Sequence, residues 1–203
     1  MKIALFGATG GTGRALVVQA LANGDAIRAL ARTPTKLEPA DGLEVIGGDV
    51  LDQAAVDNCL EGAEAVICAL GSHGAREPVE AQGTERIIDG MQRHGIRRLV
   101  AVSSMGVGDS RDQVPGFFRV LMQLTLKKIM AAKEQQEALI RDSSLDWTIV
   151  RPGGLTDGPA TGAYKSGTDR SIKAARVSRA DVAEFVLQQL ASERYLHKTP
   201  AIS

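Results

Sequence analysis

Residues 2–13, KIALFGATGGTG, decide the fold of this 203-residue chain. An apolar run leads into three evenly spaced glycines, and a helical pattern follows them, which is the context that a dinucleotide-binding loop requires. Gly7 permits the sharp turn, Gly10 lets the backbone approach a pyrophosphate, and Gly13 lets helix and strand pack closely. The free N–H groups at the start of the helix then face the anion. The stretch therefore predicts a dinucleotide-binding loop.

Short apolar runs recur along the chain and alternate with helical patterns. Runs of this kind suit strands that are buried on both faces of a parallel sheet. The apolar runs lie at 2–7, 26–31, 43–47, 63–71, 97–104 and 146–153, and the helical patterns lie at 12–22, 53–61, 79–94 and 117–142. We expect a last helix after Ser178, whose hydroxyl can cap it, and a short edge strand at TPAI, 199–202. The alternation predicts one domain over 1–203 with an α/β fold, a Rossmann-type doubly wound, mostly parallel sheet with helices on both faces.

Composition limits the classes of partner. The 24 Lys and Arg residues balance the 24 Asp and Glu residues, so no overall positive field attracts nucleic acid or a membrane surface. No secretory signal pattern opens the chain, and no apolar run approaches the ~20 residues that span a bilayer. Cys59 and Cys68 lack metal-type spacing with the histidines and are expected to be small core residues. The sequence predicts a cytoplasmic protein without a metal, either a monomer or a weak dimer.

The end of the second strand decides which dinucleotide is expected. NAD enzymes place an acidic residue there, against the ribose 2′-hydroxyl, whereas this chain has Arg32 and, one turn on, Lys36. A guanidinium can bind a 2′-phosphate, so NADP(H) is favoured, although both cations can instead be solvated surface charges. Beyond the third strand, Asp49 can accept from the adenine amino group, or it can cap the helix that begins near Asp52, while Val50 lines the ring.

Three further stretches follow predicted strand ends. Residues 70–72 are expected to pass beneath the ribose of the cofactor, with His73 either at the mouth of the cleft or solvated. The irregular stretches 105–118 and 153–170 are candidates for a substrate rim, because ligands of open α/β sheets bind outside the carboxyl ends of strands. The alternative is that both stretches are flexible connections.

The motifs GATGGTG, GDVLD, AVICALG, GTERIIDGMQRHGIRRLVAVSS, DWTIVRPGGLTDGPATGAY and VSRADVAEFV together resemble the atypical short-chain dehydrogenase/reductases. Within that family they are most similar to the group that includes biliverdin-IXβ reductase, also called flavin reductase. The resemblance implies NADP(H) as cofactor and Ser104 as the catalytic residue beside the nicotinamide. It implies that the following residues bind the cofactor: Gly7, Thr9, Gly10, Gly11, Thr12, Gly13, Arg32, Lys36, Asp49, Val50, Leu70, Gly71, Ser72, Ser103, Pro152, Gly153, Gly154 and Leu155.

The chain departs from most short-chain dehydrogenases in lacking a Tyr-x-x-x-Lys pair. Four residues beyond Tyr164 and Tyr195 stand Thr168 and Thr199, and Lys133 in the expected helix has no tyrosine partner. We expect Lys133 to be a solvated helix residue. Without the pair, sugar epimerase or ordinary alcohol dehydrogenase chemistry is disfavoured. Hydride transfer to an acceptor that is already electrophilic does not need it, because the protein then supplies position and shielding.

The sequence therefore predicts an NADPH-dependent oxidoreductase acting on a small planar acceptor of the flavin, tetrapyrrole or quinone class. Gly154 stands where the biliverdin and flavin reductases carry a histidine, which counts against a tetrapyrrole. Met105, Phe117, Phe118 and Tyr164 are candidates for an apolar rim, or equally for the core. Two non-catalytic alternatives remain: an NADP-sensing regulator similar to the NmrA-like proteins, and an assembly or chaperone-like protein on the same scaffold.

Overall fold

The computed structural model describes residues 1–72, 77–116 and 126–203. Within these ranges the strands are β1 (Lys2–Phe6), β2 (Ala26–Ala31), β3 (Leu43–Gly47), β4 (Ala65–Cys68), β5 (Arg98–Val102), β6 (Asp146–Pro152), β7 (Gly154–Thr156), β8 (Ser166–Gly167), β9 (Arg176–Ser178) and β10 (Ala201–Ile202). The helices are α1 (Gly11–Ala22), α2 (Gln53–Leu60), α3 (Glu80–His94), α4 (Lys127–Asp142) and α5 (Arg179–Ala191). Short 3-10 helices span Pro34–Lys36 and Gly108–Gln113. The predicted alternation of strand and helix is confirmed.

The main sheet has eight strands in the order β3-β2-β1-β4-β5-β6-β10-β8. The first six of these pair in parallel, β10 continues parallel to β6, and β8 runs antiparallel to β10. A separate parallel pair joins β7 to β9. Chain order reverses between β1 and β4, and in such sheets ligands bind at that switch point, outside the carboxyl ends of the strands. The predicted Rossmann-type fold is confirmed.

The core forms two layers, one on each face of the sheet. Alternate residues of β1 point to opposite faces: Ile3 and Leu5 pack in the layer that contains α1 and α5, and Ala4 and Phe6 pack in the layer with α2, α3 and α4. All four of these residues are fully buried. A strand that is covered on both sides needs apolar residues at every position, which explains why the runs are continuous and not alternating.

The end of the chain and the two cysteines agree with the sequence predictions in all but one respect. The Ser178 cap of α5 is confirmed, since its hydroxyl accepts a hydrogen bond from the Asp181 N–H at 2.9 Å. The TPAI stretch does form a strand, but the edge prediction is wrong, because β10 lies between β6 and β8. Cys59 and Cys68 are buried free thiols in the core, as predicted. Among the described helices, none combines the length and the apolar character that crossing a bilayer requires.

Candidate functional site: a cleft at the carboxyl ends of β1 to β4

The glycine loop between β1 and α1 forms the floor of the site. Gly7 has φ of +91°, and a Cβ there would lie 2.3 Å from the carbonyl oxygen of Ala69. A Cβ at Gly13 would lie 2.1 Å from the carbonyl oxygen of Gly7. Both positions therefore exclude any side chain, which confirms the turn at Gly7 and the close packing at Gly13.

The start of α1 faces the cleft, and the helix supplies no acidic side chain of its own there. Gly10 is the N-cap residue, no side chain caps the helix, and its first turn contains no acidic residue. The first N–H groups of a helix carry a partial positive charge that attracts anions. The N-terminus of α1 can therefore bind a phosphate group that approaches over Gly10 and Gly11.

A cleft of about 210 Å³ opens above this loop. Its wall is drawn from the ends of β1, β2, β3 and β4, which places it at the switch point of the sheet. Of the residues expected to bind a cofactor, the structure brings together Gly7, Thr9, Gly10, Gly11, Thr12, Gly13, Arg32, Asp49, Val50, Leu70, Gly71 and Leu155. The remaining wall residues, which the sequence reasoning missed, are Phe6, Leu30, Ala31, Gly48, Ala69, Val79 and Arg179.

One end of the cleft carries the residues expected at the adenosine half of a dinucleotide. Arg32 directly follows β2, is exposed and lies on the wall, whereas Lys36 ends a 3-10 helix outside the wall. Asp49 accepts a hydrogen bond from the Leu51 N–H at 2.9 Å and also lies on the wall. The helix-cap alternative for Asp49 is wrong, because Asp52 caps α2 by accepting from the Ala54 N–H at 3.0 Å.

Ser72 lies outside the cleft wall and fixes the chain after β4. Its N–H and hydroxyl donate to the two carboxylate oxygens of Glu80, at 2.8 and 2.6 Å. Glu80 is fully buried at the start of α3, and the Val79 N–H donates to the Ser72 hydroxyl at 3.1 Å. Ser72 thus joins the end of β4 to α3, and His73 lies outside the described residues.

Ser103 and Ser104 follow β5, also outside the cleft wall. The buried Ser103 hydroxyl donates to Oε1 of Glu137 at 2.6 Å, and Glu137 also accepts from Nε and Nη2 of Arg151, at 2.9 and 2.6 Å. Burial on its own lowers the pKa of Arg151, but the hydrogen bonds and charges of Glu137 and Asp109 together outweigh burial, so that pKa is raised. Ser104 is half-buried, and its hydroxyl donates to the carbonyl oxygen of Met105 at 3.0 Å. The Ser103 hydroxyl is therefore committed to the buried cluster.

Lys133 is buried, so the expectation that it is solvated is wrong. Only 8% of it is exposed, and its Nζ donates to the carbonyl oxygens of Val102 at 3.2 Å and Leu70 at 3.4 Å. Burial lowers the pKa of Lys133, and the negative charge of Glu80 partly offsets this. Its ammonium joins the carboxyl ends of β4 and β5, next to the cleft, because the face of α4 that carries Lys133, Gln136 and Glu137 turns inward.

The segment after β6 reaches the cleft at one residue. Pro152 ends β6, the Gly153 N–H donates to the Ile202 carbonyl oxygen at 2.9 Å, and Gly154 opens β7. Only Leu155 of this segment lines the cleft.

The candidate rim residues fall partly in the core. Met105 is 2% exposed and packs with Val114 and Ala201. Tyr164 is half-buried and packs edge-on against Phe185, with ring centroids 6.0 Å apart. The candidates Phe117 and Phe118 lie outside the described residues.

Arg179 is the one cation among the wall residues that the sequence reasoning missed. It is the first residue of α5, directly after the Ser178 cap, and its Nη1 lies 2.6 Å from Oδ1 of Asp157. No local pattern distinguishes Arg179 from a solvated cation, because the acid Asp181 stands in the same first turn and the approach to α1 is set by tertiary packing.

Comparison with known proteins gives related sequences and structures along the whole chain. Residues 7–193 match the sequence profile of a family described as NAD(P)H-binding. An uncharacterized chloroplastic protein of Arabidopsis thaliana is 31% identical over 216 residues, covering 99% of this chain and 76% of that protein. The (4-alkanoyl-5-oxo-2,5-dihydrofuran-3-yl)methyl phosphate reductase of Streptomyces griseus is 33% identical over 153 residues, which is 74% of this chain and 46% of the reductase. The solved structure of ChuY from Escherichia coli O157:H7, described as an anaerobilin reductase, is 27% identical with a TM-score of 0.83, over 100% of this chain and 96% of ChuY.

Proposed function

The chain belongs to the NAD(P)H-binding family, and on that premise we propose that it is an NADPH-dependent reductase of a planar electrophilic acceptor. Arg32 carries the proposal: it is a cation on the cleft wall at the end of β2, where NAD enzymes place an acid. A guanidinium there forms charge-assisted bonds with a 2′-phosphate, which NADPH has and NADH lacks. The reductases among the relatives support the direction of the reaction.

The residues present fit a dinucleotide. The lack of room for a side chain at Gly7 and Gly13 holds the loop tightly against its own backbone, and the uncapped start of α1 supplies N–H donors for a pyrophosphate. The carboxylate of Asp49 and the apolar Val50 stand at the adenine end, and Leu155 stands on the wall beyond the glycine loop. These residues bind and orient the cofactor along the carboxyl edge of the sheet.

When bound, the nicotinamide supplies the hydride. The chain itself holds the cofactor, excludes water and orients the acceptor. The Ser104 hydroxyl, which donates to the Met105 carbonyl oxygen in the structure, would turn its hydrogen to the nicotinamide or to the acceptor. Because the Tyr-x-x-x-Lys pair is absent from the sequence, the acceptor is one that needs no protein-assisted protonation before reduction. Flavins, linear tetrapyrroles and quinones meet that requirement, and solvent delivers the proton.

The test is an absorbance assay of NADPH and NADH oxidation against a panel of a flavin, biliverdin and a quinone. We expect NADPH to be oxidised with at least one acceptor. We expect Arg32→Ala to lower the preference for NADPH over NADH by about ten- to a hundredfold, the worth of a hydrogen bond between charged groups. Arg86→Ala, which removes an exposed cation of α3 that does not line the cleft, is the matched control and should change the preference much less.

Two results would count against the proposal. An unchanged cofactor preference in Arg32→Ala would contradict the assignment of the 2′-phosphate site. Tight NADPH binding without turnover on the whole panel would contradict the reductase and favour a non-catalytic NADP-sensing regulator.

A further inference from the structure

Arg179 occupies a position that costs stability in the absence of an anion. The first turn of its own helix, α5, contains the acid Asp181, but the Arg179 side chain crosses the start of α1, whose first turn contains no acidic residue. Among the described residues Arg179 forms an ion pair with Asp157, whose side chain is 91% exposed, while the Arg179 side chain is 22% exposed. An ion pair with so exposed an acid contributes little. The placement therefore calls for a ligand.

We propose that Arg179 is a phosphate-binding residue of the cleft that contacts the pyrophosphate of the dinucleotide, and that Asp157 competes with the pyrophosphate for it. This inference rests on the proposed function and adds to it a binding residue and a competing anion.

The geometry at Gly11 places the guanidinium beside the start of α1. A Cβ at Gly11 would lie 2.6 Å from both Cδ and Nε of Arg179 and 3.3 Å from its Cζ. The Arg179 side chain therefore lies over Gly11, the first residue of α1, and both residues line the cleft. A phosphate between these two positive groups would bind to both, and an arginine fork suits phosphate oxygens.

The ion pair with Asp157 links this contact to the chain after β7. Asp157 follows Thr156, the last residue of β7, and lies two residues beyond Leu155 on the cleft wall. When a pyrophosphate takes the guanidinium, the Asp157 carboxylate loses its partner. Occupancy of the phosphate site thus leaves the exposed Asp157 carboxylate to water.

The experiment measures dissociation constants for NADPH and for NADH by fluorescence titration, on the whole chain. Arg179→Gln should weaken both by the same factor, about tenfold, because the pyrophosphate is common to the two dinucleotides and a hydrogen bond between charged groups is lost. Arg179→Lys, which keeps the charge, should recover part of that loss. Asp157→Asn should tighten both by about two- to fivefold, the worth of an exposed ion pair that no longer competes.

The matched control is Arg176→Gln, which removes an exposed cation three residues earlier that does not line the cleft. Both constants should stay within about twofold of wild type. If Arg179 acted only as a structural partner of Asp157, Asp157→Asn would weaken binding together with Arg179→Gln, and that result would overturn the inference. Unchanged constants in Arg179→Gln would do the same while leaving the proposed function intact, whereas a wild-type chain that bound neither dinucleotide would overturn both.

Discussion

Glu137 in α4 gives the sharpest test of what holds the carboxyl edge of the sheet. It is fully buried and accepts four hydrogen bonds, from Ser103, from Nε and Nη2 of Arg151, and from Arg141 at 2.8 Å. In Glu137→Gln the remaining oxygen still accepts from its two donors. The amide NH2 replaces the second carboxylate oxygen and, being a donor itself, cannot accept from the two guanidinium groups that this oxygen bound. The change keeps the volume of the side chain and removes its charge.

The expected cost follows from those four contacts. Two hydrogen bonds between charged groups are lost, at about 1.5–3 kcal/mol each. Arg141, whose side chain is 38% exposed, can turn to water, and Arg151 keeps its ion pair with Asp109 at 2.7 Å. Both offsets move the cost to the low end, about 3 kcal/mol, within the range for breaking a buried ion pair. In a chain of 203 residues this lowers Tm by about 6–12 °C.

Urea unfolding followed by circular dichroism measures the free energy of unfolding, and an unchanged slope with denaturant shows that the folded state is intact. The matched control is Glu134→Gln on the same helix, whose ion pair with Arg111 is 2.8 Å long and exposed on both sides. That control should cost less than about 1 kcal/mol. A loss at Glu137 no larger than that of the control would refute the argument that the buried cluster holds β5 and β6 to α4.

Two further substitutions test the site and its buried lysine. Gly13→Ala should lower the affinity for NADPH at least about tenfold and lower the free energy of unfolding by about 1–3 kcal/mol, because its Cβ would lie 2.1 Å from a backbone oxygen. Gly158→Ala, with open space around its Cβ, is the control. Equal effects of the two substitutions would contradict the packing argument. Lys133→Met tests the lowered pKa of the buried lysine: the unfolded chain binds more protons between the lowered folded pKa and 10.5, so wild-type stability rises with pH in that window relative to the variant. Urea midpoints of both proteins at pH 7 and pH 10 measure this, and a gap that does not change in favour of wild type would show that Lys133 is not desolvated.

Most of the sheet could be predicted from the sequence because burial on both faces leaves a continuous apolar signal. The run at 146–153 became β6, Asp146–Pro152, and the run at 26–31 became β2 with the same bounds. The short strands β7 and β9 carry no such signal, because they pair only with each other outside the main sheet. The prediction of TPAI as an edge strand was wrong because strand order along a sheet is set by long-range packing, which the local sequence pattern does not report.

The cleft was predictable where backbone geometry dictates the residue type. Gly7 and Gly13 are required by close approach, and the sequence pattern reports that requirement directly. Lys133 and Arg179 were missed or misplaced because their settings depend on which helix faces which strand end. A lysine in a polar helix has the same local pattern whether its face turns outward or inward, so only the packed structure shows it buried.

The chain after β5, at 105–116, is tied to the chain at 166–175. Nη2 of Arg170 donates to Asp112 at 3.0 Å, Nε2 of Gln113 donates to the Ile172 carbonyl oxygen at 2.9 Å, and the Ala174 N–H donates to the Gln113 carbonyl oxygen at 2.9 Å. Segments 56 or more residues apart in sequence thus share one set of bonds. For protein engineering the two segments therefore form one unit. A loop graft that replaces 105–116 alone removes the hydrogen-bond partners of the retained segment 166–175. A transplant that is to keep the fold must carry both segments from one donor.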